Sequence, residues 1–120
     1  MTAPERERLP DTRRSVTHKV IIDSEQGPVS VFITAGFFED GRVGEVFLQV
    51  GKQGSTMRGV LDNFARLISY ALQYGVPLGE LAELFRDANY PPQGATSNAE
   101  IPACSSLSDY AFRWMEGLQA

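Results

Sequence analysis

The chain has 120 residues, 42% of them hydrophobic and 22% charged, which supports one domain with one core and argues against disorder through most of its length. Its net charge of −4 is uneven, because residues 1–19 hold five basic and three acidic side chains and the remainder carries −6. An acidic body disfavours broad nucleic-acid binding, no apolar run approaches the ~20 residues of a membrane span, and the charged N-terminus lacks the apolar stretch of a secretory signal. The single cysteine, Cys104, cannot form an intramolecular disulfide. These features together predict a soluble, cytoplasmic protein.

Residues 1–14 contain Pro4, Pro10 and many charges but no apolar period, so a mobile or extended N-terminal segment is expected there, ahead of a domain spanning 15–120. From Val16 the pattern has period two: Val16, His18, Val20 and Ile22 share one face, with Thr17, Lys19, Ile21 and Asp23 on the other. A turn over Ser24 to Pro28 leads to a second strand, in which Val29, Val31, Ile33, Ala35 and Phe37 alternate with Ser30, Phe32 and Thr34. Asp40-Gly41 supplies the positive φ of a tight hairpin. In a third strand Val46, Leu48 and Val50 face away from Glu45, Phe47 and Gln49. Short connections between the three predict an antiparallel meander with one buried face.

The period then becomes helical. Met57, Val60, Leu61, Phe64, Leu67, Ile68, Ala71 and Leu72 recur at steps of three and four and predict a long helix with an apolar stripe. Tyr74-Gly75-Val76-Pro77 stops it. Leu78, Leu81, Ala82 and Phe85 mark a shorter helix, and Leu107, Tyr110, Ala111, Trp114, Met115 and Leu118 mark a third. Ser106, with Asp109 three residues on, resembles a capping box at its start. The expected fold is therefore α+β, a three-stranded antiparallel β-meander packed against three α-helices. Trp114, Phe64 and Phe85 are expected in the core, with Met57 and Met115 filling gaps. Asn89 to Ala103 has no period, and a loop of that length is expected to be either a packed connector or functional.

Two segments offer binding chemistry. Gly51 and Gly54 bracket Lys52, and Ser55 and Thr56 follow at the start of the long helix, where their hydroxyls are expected to cap free N–H groups. Lys52, Gly54, Ser55, Thr56 and Arg58 thus form a candidate site for a phosphate or nucleotide, since a helix N-terminus carries about half a positive charge. The order of residues is not that of a phosphate-binding P-loop. The second segment holds Arg13, Arg14 and Lys19, which suit contacts to phosphate or to an acidic partner. His18 on an apolar strand face reads as a core or edge residue, and no Cys/His cluster offers a metal its ligands.

The stretch from Glu39 to Leu78, with LPDTRRSVTHKV before it and SLSDYAFRWM after it, resembles the TSCPD domain. That domain lies towards the C-terminus of the large class II (adenosylcobalamin-dependent) ribonucleotide reductases and also occurs in short free-standing proteins. The resemblance runs from Leu9 to Met115 and includes the progression Tyr90, Pro92, Gly94, Thr96, Asn98 and Ile101. It implies relatives whose chemistry needs a radical-forming cysteine, a redox pair of thiols and a cobalamin site. One thiol cannot supply three, so the chain alone is not expected to be catalytic or to bind a cofactor. Adenosylcobalamin would act only through a catalytic partner.

In a full-length reductase the Leu9–Lys19 segment would follow a linker from the catalytic barrel. Here it starts almost at the N-terminus, and the chain stops at Ala120 without the cysteine-rich extension of some members. The expectation is an accessory subunit or detached domain that binds a class II reductase catalytic chain in deoxyribonucleotide synthesis. The alternative is a stand-alone, homo-oligomeric binding module for a phosphorylated ligand or a protein.

Overall fold

The alternating segments of the first half become three long antiparallel strands, β1 (Ser15–Ser24), β2 (Gly27–Phe37) and β3 (Val43–Val50). The computed structural model describes residues 4–51 and 54–119. After β3 come α1 (Ser55–Gln73), α2 (Leu78–Phe85), the short strands β4 (Gly94–Thr96) and β5 (Ala103–Cys104), and α3 (Leu107–Gln119). The sheet order is β3-β2-β1-β4-β5, and every pairing is antiparallel. The class is α+β as expected, but the three-stranded meander is a wrong description. The sheet has five strands, because the 89–103 loop folds back to place Thr96 opposite Ile22 and Ala95 opposite Asp23. Strands of two and three residues are too short to show an alternating pattern, so periodicity could not reveal them.

One sheet face is covered. Val20, Ile22, Val31, Ile33, Ala35, Val46 and Leu48 point from it onto Leu61, Ala65, Ile68 and Leu72 of α1 and onto Leu107, Tyr110, Ala111 and Met115 of α3, forming one core. The opposite face is open and displays Ile21, Phe32 and Phe47.

The stripe on α1 is narrower than its sequence suggests. Leu61 is 7% exposed, whereas Met57, Val60 and Leu67 are 40%, 58% and 66% exposed, so these three do not fill the core. Phe64, Phe85 and Trp114 are only partly buried and pack against its margin. Leu61→Ala should lower stability by about 2–5 kcal/mol through lost transfer energy and a cavity. Leu67→Ala should stay within about half a kcal/mol, as a surface change does. Urea denaturation of the two variants would check the contrast.

Where α1 meets the outer edge of β3, polar side chains replace a neighbouring strand. Ser69 Oγ accepts from Val46 N–H at 2.9 Å, and Gln73 Nε2 donates to the Gly44 carbonyl at 2.9 Å. From α3, Gln119 Oε1 accepts from Val43 N–H at 2.6 Å. Buried backbone groups need such partners, which explains the polar Ser69 and the buried Gln73 on the inner side of α1.

The segment ahead of β1, expected to be mobile or extended, lacks regular structure over its described residues and touches the body at several points. Glu7 N–H donates to the Gln73 carbonyl at 2.7 Å, and Arg6 Nε donates to Gln73 Oε1 at 2.7 Å. Arg42 pairs with Glu7 at 3.0 Å.

Candidate functional site

A hollow of about 920 Å³ lies where the β1–β2 hairpin tip, the start of α1 and residues 90–94 converge. Buried Val50, Leu61 and Leu107 line it, together with exposed Asp23 and Glu25. The 90–94 wall is held firmly. Tyr90 Oη donates to Ser108 Oγ at 2.8 Å, Tyr90 N–H donates to the Ser105 carbonyl at 3.1 Å, and Gln93 Nε2 donates to the same carbonyl at 2.9 Å.

The expected anion site borders this hollow. Gly54 is the N-cap of α1, and no side chain caps it, so the capping bonds expected from Ser55 and Thr56 are absent. Both residues sit in the exposed first turn with Arg58, while Lys52 lies outside the described residues. The first turn contains no acidic residue, which leaves its free N–H groups attractive to an anion. Asp23 and Glu25, lining the same hollow, oppose one.

The three cations expected to meet a partner are not gathered in one place. Arg13 forms a two-pronged pair with Glu45, Nε to Oε2 at 2.5 Å and Nη2 to Oε1 at 2.9 Å. The Glu45 hydrogen bond raises the Arg13 pKa. Gly36, directly opposite Glu45 in the sheet, makes room for this pair, since a Cβ there would stand 2.1 Å from Glu45 Oε2. Arg14 lies over the Phe37 ring at 5.4 Å. Arg13 and Arg14 line a smaller hollow of about 250 Å³ with Pro10, Thr12, Phe37, Phe38 and Glu39. Lys19 is elsewhere, its Nζ 5.7 Å from the Phe32 ring on the open sheet face.

A half-buried polar node joins β1, α3 and the 89–103 loop, and sequence reading missed it. Asn98 Nδ2 donates to Tyr110 Oη at 3.0 Å, while Asn98 Oδ1 accepts from Glu100 N–H and so fixes the amide's orientation. The Tyr110 hydroxyl hydrogen is then free for His18 Nε2, 2.7 Å away. His18 is thereby a neutral acceptor, stacked on Trp114 at 5.2 Å between ring centroids. Its protonation would place a second donor on Tyr110 Oη and strand the hydroxyl hydrogen. Burial lowers the His18 pKa below its ordinary 6.5, so the folded state resists a proton that the unfolded state accepts. This contribution to stability is complete above pH 6.5 and declines as pH falls through 6.5 towards the depressed folded value. Thermal melts between pH 8 and 5 should therefore fall more steeply for the wild type than for His18→Gln.

Asp109 is a second such node. The capping box is confirmed in part: Asp109 N–H donates to Ser106 Oγ at 3.0 Å, and the carboxylate accepts from Ser105 N–H at 3.0 Å. It also accepts from Asp87 N–H and Arg113 Nε, both at 2.8 Å. Burial pushes the Asp109 pKa up, but these donors outweigh it and leave the group below its usual value. Cys104 is buried, and its burial raises the thiol pKa, opposite to what a nucleophilic thiolate requires.

A model of the TSCPD domain matches residues 2–119. The chain belongs to the TSCPD domain family. Among curated proteins, this TSCPD chain is 44% identical over 93% of its length to a vitamin B12-dependent ribonucleotide reductase of Rhodopirellula baltica, of which it covers 10%. It is 38% identical over 91% of its length to the enzyme so named in Bradyrhizobium diazoefficiens, covering 8%. It is 37% identical over 92% of its length to that of Streptantibioticus cattleyicolor, covering 18%. The TSCPD chain thus spans less than a fifth of these relatives. No solved structure gave a significant match. No helix among the described residues is long and apolar enough to cross a membrane.

Proposed function

We propose that this chain is a non-catalytic module of vitamin B12-dependent ribonucleotide reduction, acting in deoxyribonucleotide synthesis by binding the catalytic part of a reductase. The observation that carries this reading is the 44% identity to a reductase across nearly the whole TSCPD domain. The buried, high-pKa Cys104 supports it, because a single protected thiol cannot both start and complete a two-electron reduction of a ribose. Adenosylcobalamin would then belong to the catalytic partner.

The test mixes this chain with a B12-dependent reductase catalytic chain truncated before its own TSCPD domain. Calorimetry should detect a complex, and ribonucleotide turnover should rise above that of the truncated enzyme. Absence of both effects would refute the role. This chain alone, given adenosylcobalamin and a dithiol, should reduce no ribonucleotide.

A further inference from the structure

The hydrogen bonds of the His18–Tyr110–Asn98 node all run in one direction. The fully buried Tyr110 donates from Oη to His18 Nε2 and accepts there from Asn98 Nδ2, while Asn98 Oδ1 accepts from Glu100 N–H at 3.0 Å. Asn98 thus stitches the tip of the 96–102 turn to α3. The root of the turn is fastened separately to β1, by Ser97 N–H on the Ile21 carbonyl and Ile21 N–H on Ser97 Oγ, both at 2.9 Å. We propose that His18 is a proton-operated latch on this turn: a proton on Nε2 reverses the run of hydrogen bonds, breaks the stitch that Asn98 makes between Glu100 and Tyr110, and loosens the tip, residues 98–101.

The reversal follows from what each group can offer. A phenol has one hydrogen to give, and here it goes to His18 while Asn98 Nδ2 uses the oxygen as an acceptor. A protonated Nε2 is itself a donor, so the phenol hydrogen must turn towards Asn98. The amide can receive it only by exchanging Nδ2 and Oδ1, which sets Nδ2 against Glu100 N–H, donor against donor. Asn98 then no longer serves both neighbours, and the tip that carries the half-buried Ile101 is held less firmly. Trp114 keeps the imidazolium from swinging out instead, because the rings are stacked at 5.2 Å and an indole face attracts a cation. No neighbouring charge governs the proton. Lys19 lies on the opposite sheet face beside Phe32, and β2 presents Ile33. On α3, Arg113 is paired with Asp109 and Asp87, and Glu116 with Arg86. Cys104 of β5 is a buried thiol with a raised pKa, and Glu100 is exposed on the turn. Burial alone holds the His18 pKa below 6.5, so the latch is closed at neutral pH and opens in acid.

Nuclear magnetic resonance of the full chain, titrated from pH 8 to 5, tests it, and the single histidine makes the imidazole signal unambiguous. The Glu100 backbone amide and the Asn98 side-chain amide should shift with the same midpoint as the His18 ring. In Tyr110→Phe the ring should still titrate while the Glu100 amide no longer follows it. Asn98→Ala, a change on the turn and outside the core, gives a second reading. It frees the phenol hydrogen to turn away, so Tyr110 can accept from the imidazolium, and the His18 pKa should rise by roughly half a unit or more towards 6.5. A wild-type Glu100 amide that stays still while His18 titrates overturns the proposal. So does a response at His18's midpoint that persists in Tyr110→Phe, or a His18 pKa that Asn98→Ala leaves unchanged.

Discussion

Asp109→Ala should destabilise the fold by about 2–4 kcal/mol, through loss of the hydrogen bonds that a buried carboxylate accepts from two amides and a guanidinium. The carboxylate is 2% exposed and accepts from two backbone amides and a guanidinium. Its removal leaves Asp87 N–H and Ser105 N–H without their carboxylate acceptor. Asp87 has φ of +69°, an uncommon conformation for a non-glycine residue, and its bond to Asp109 helps to hold it there. Arg113 would keep its contact with Asp87, so part of the local structure should survive. The pH dependence has a definite sign. Because the Asp109 pKa is lowered on folding, its contribution is complete above the ordinary carboxylate value of 3.8 and is lost as pH falls through the depressed folded one. Denaturant titrations at pH 7 and near pH 3 should show the wild type and Asp109→Ala converging in acid. A gap that stays constant would mean that the carboxylate acts through shape and not through charge.

Gly94→Ala should cost about 2–4 kcal/mol. Gly94 has φ of +141°, and a Cβ built there would stand 2.5 Å from the Asp23 carbonyl oxygen, a backbone atom that cannot swing aside. Backbone strain and overpacking each contribute about 1–3 kcal/mol at such positions. Relief requires β4 to withdraw from β1, which would also loosen the 90–94 wall of the hollow. Hydrogen exchange should therefore accelerate first at the amides of residues 94–98, with β2 and β3 affected less. Gly59→Ala is a suitable control, because a Cβ there meets nothing within 4 Å.

Long periodic elements were legible in the sequence because each burial pattern repeats enough times to exceed chance. The three main strands and three helices are of this kind, and their core positions were largely read correctly. The α1 stripe misled because it merges two adjacent seams, one facing the core and one facing solvent, and composition cannot tell them apart. The cap at Ser106 was legible because Ser and Asp fall at the required spacing. The cap expected from Ser55 failed because a residue already inside the first turn cannot be the N-cap, a role that Gly54 holds. Arg13 read as a free cation because its partner, Glu45, is 32 residues away and becomes its neighbour only through the pairing of β2 with β3. The His18–Tyr110–Asn98 node escaped for the same reason, its members being as far as 92 residues apart.

The closure of the β3 edge by Ser69, Gln73 and Gln119 has a consequence for how this domain can associate. A sheet normally offers two open edges on which a foreign strand can add itself. Here the first half of the β3 edge, from Val43 to Val46, is already occupied by helix side chains, and at the other end of the sheet β5 is two residues long, too short to act as a template. Strand addition is therefore hindered along the first half of β3 and at β5, and edge-to-edge polymerisation is hindered there with it. Along those stretches the domain is left with side-chain surfaces as its means of contact, which can be selective and reversible where a shared ladder of backbone hydrogen bonds would be neither.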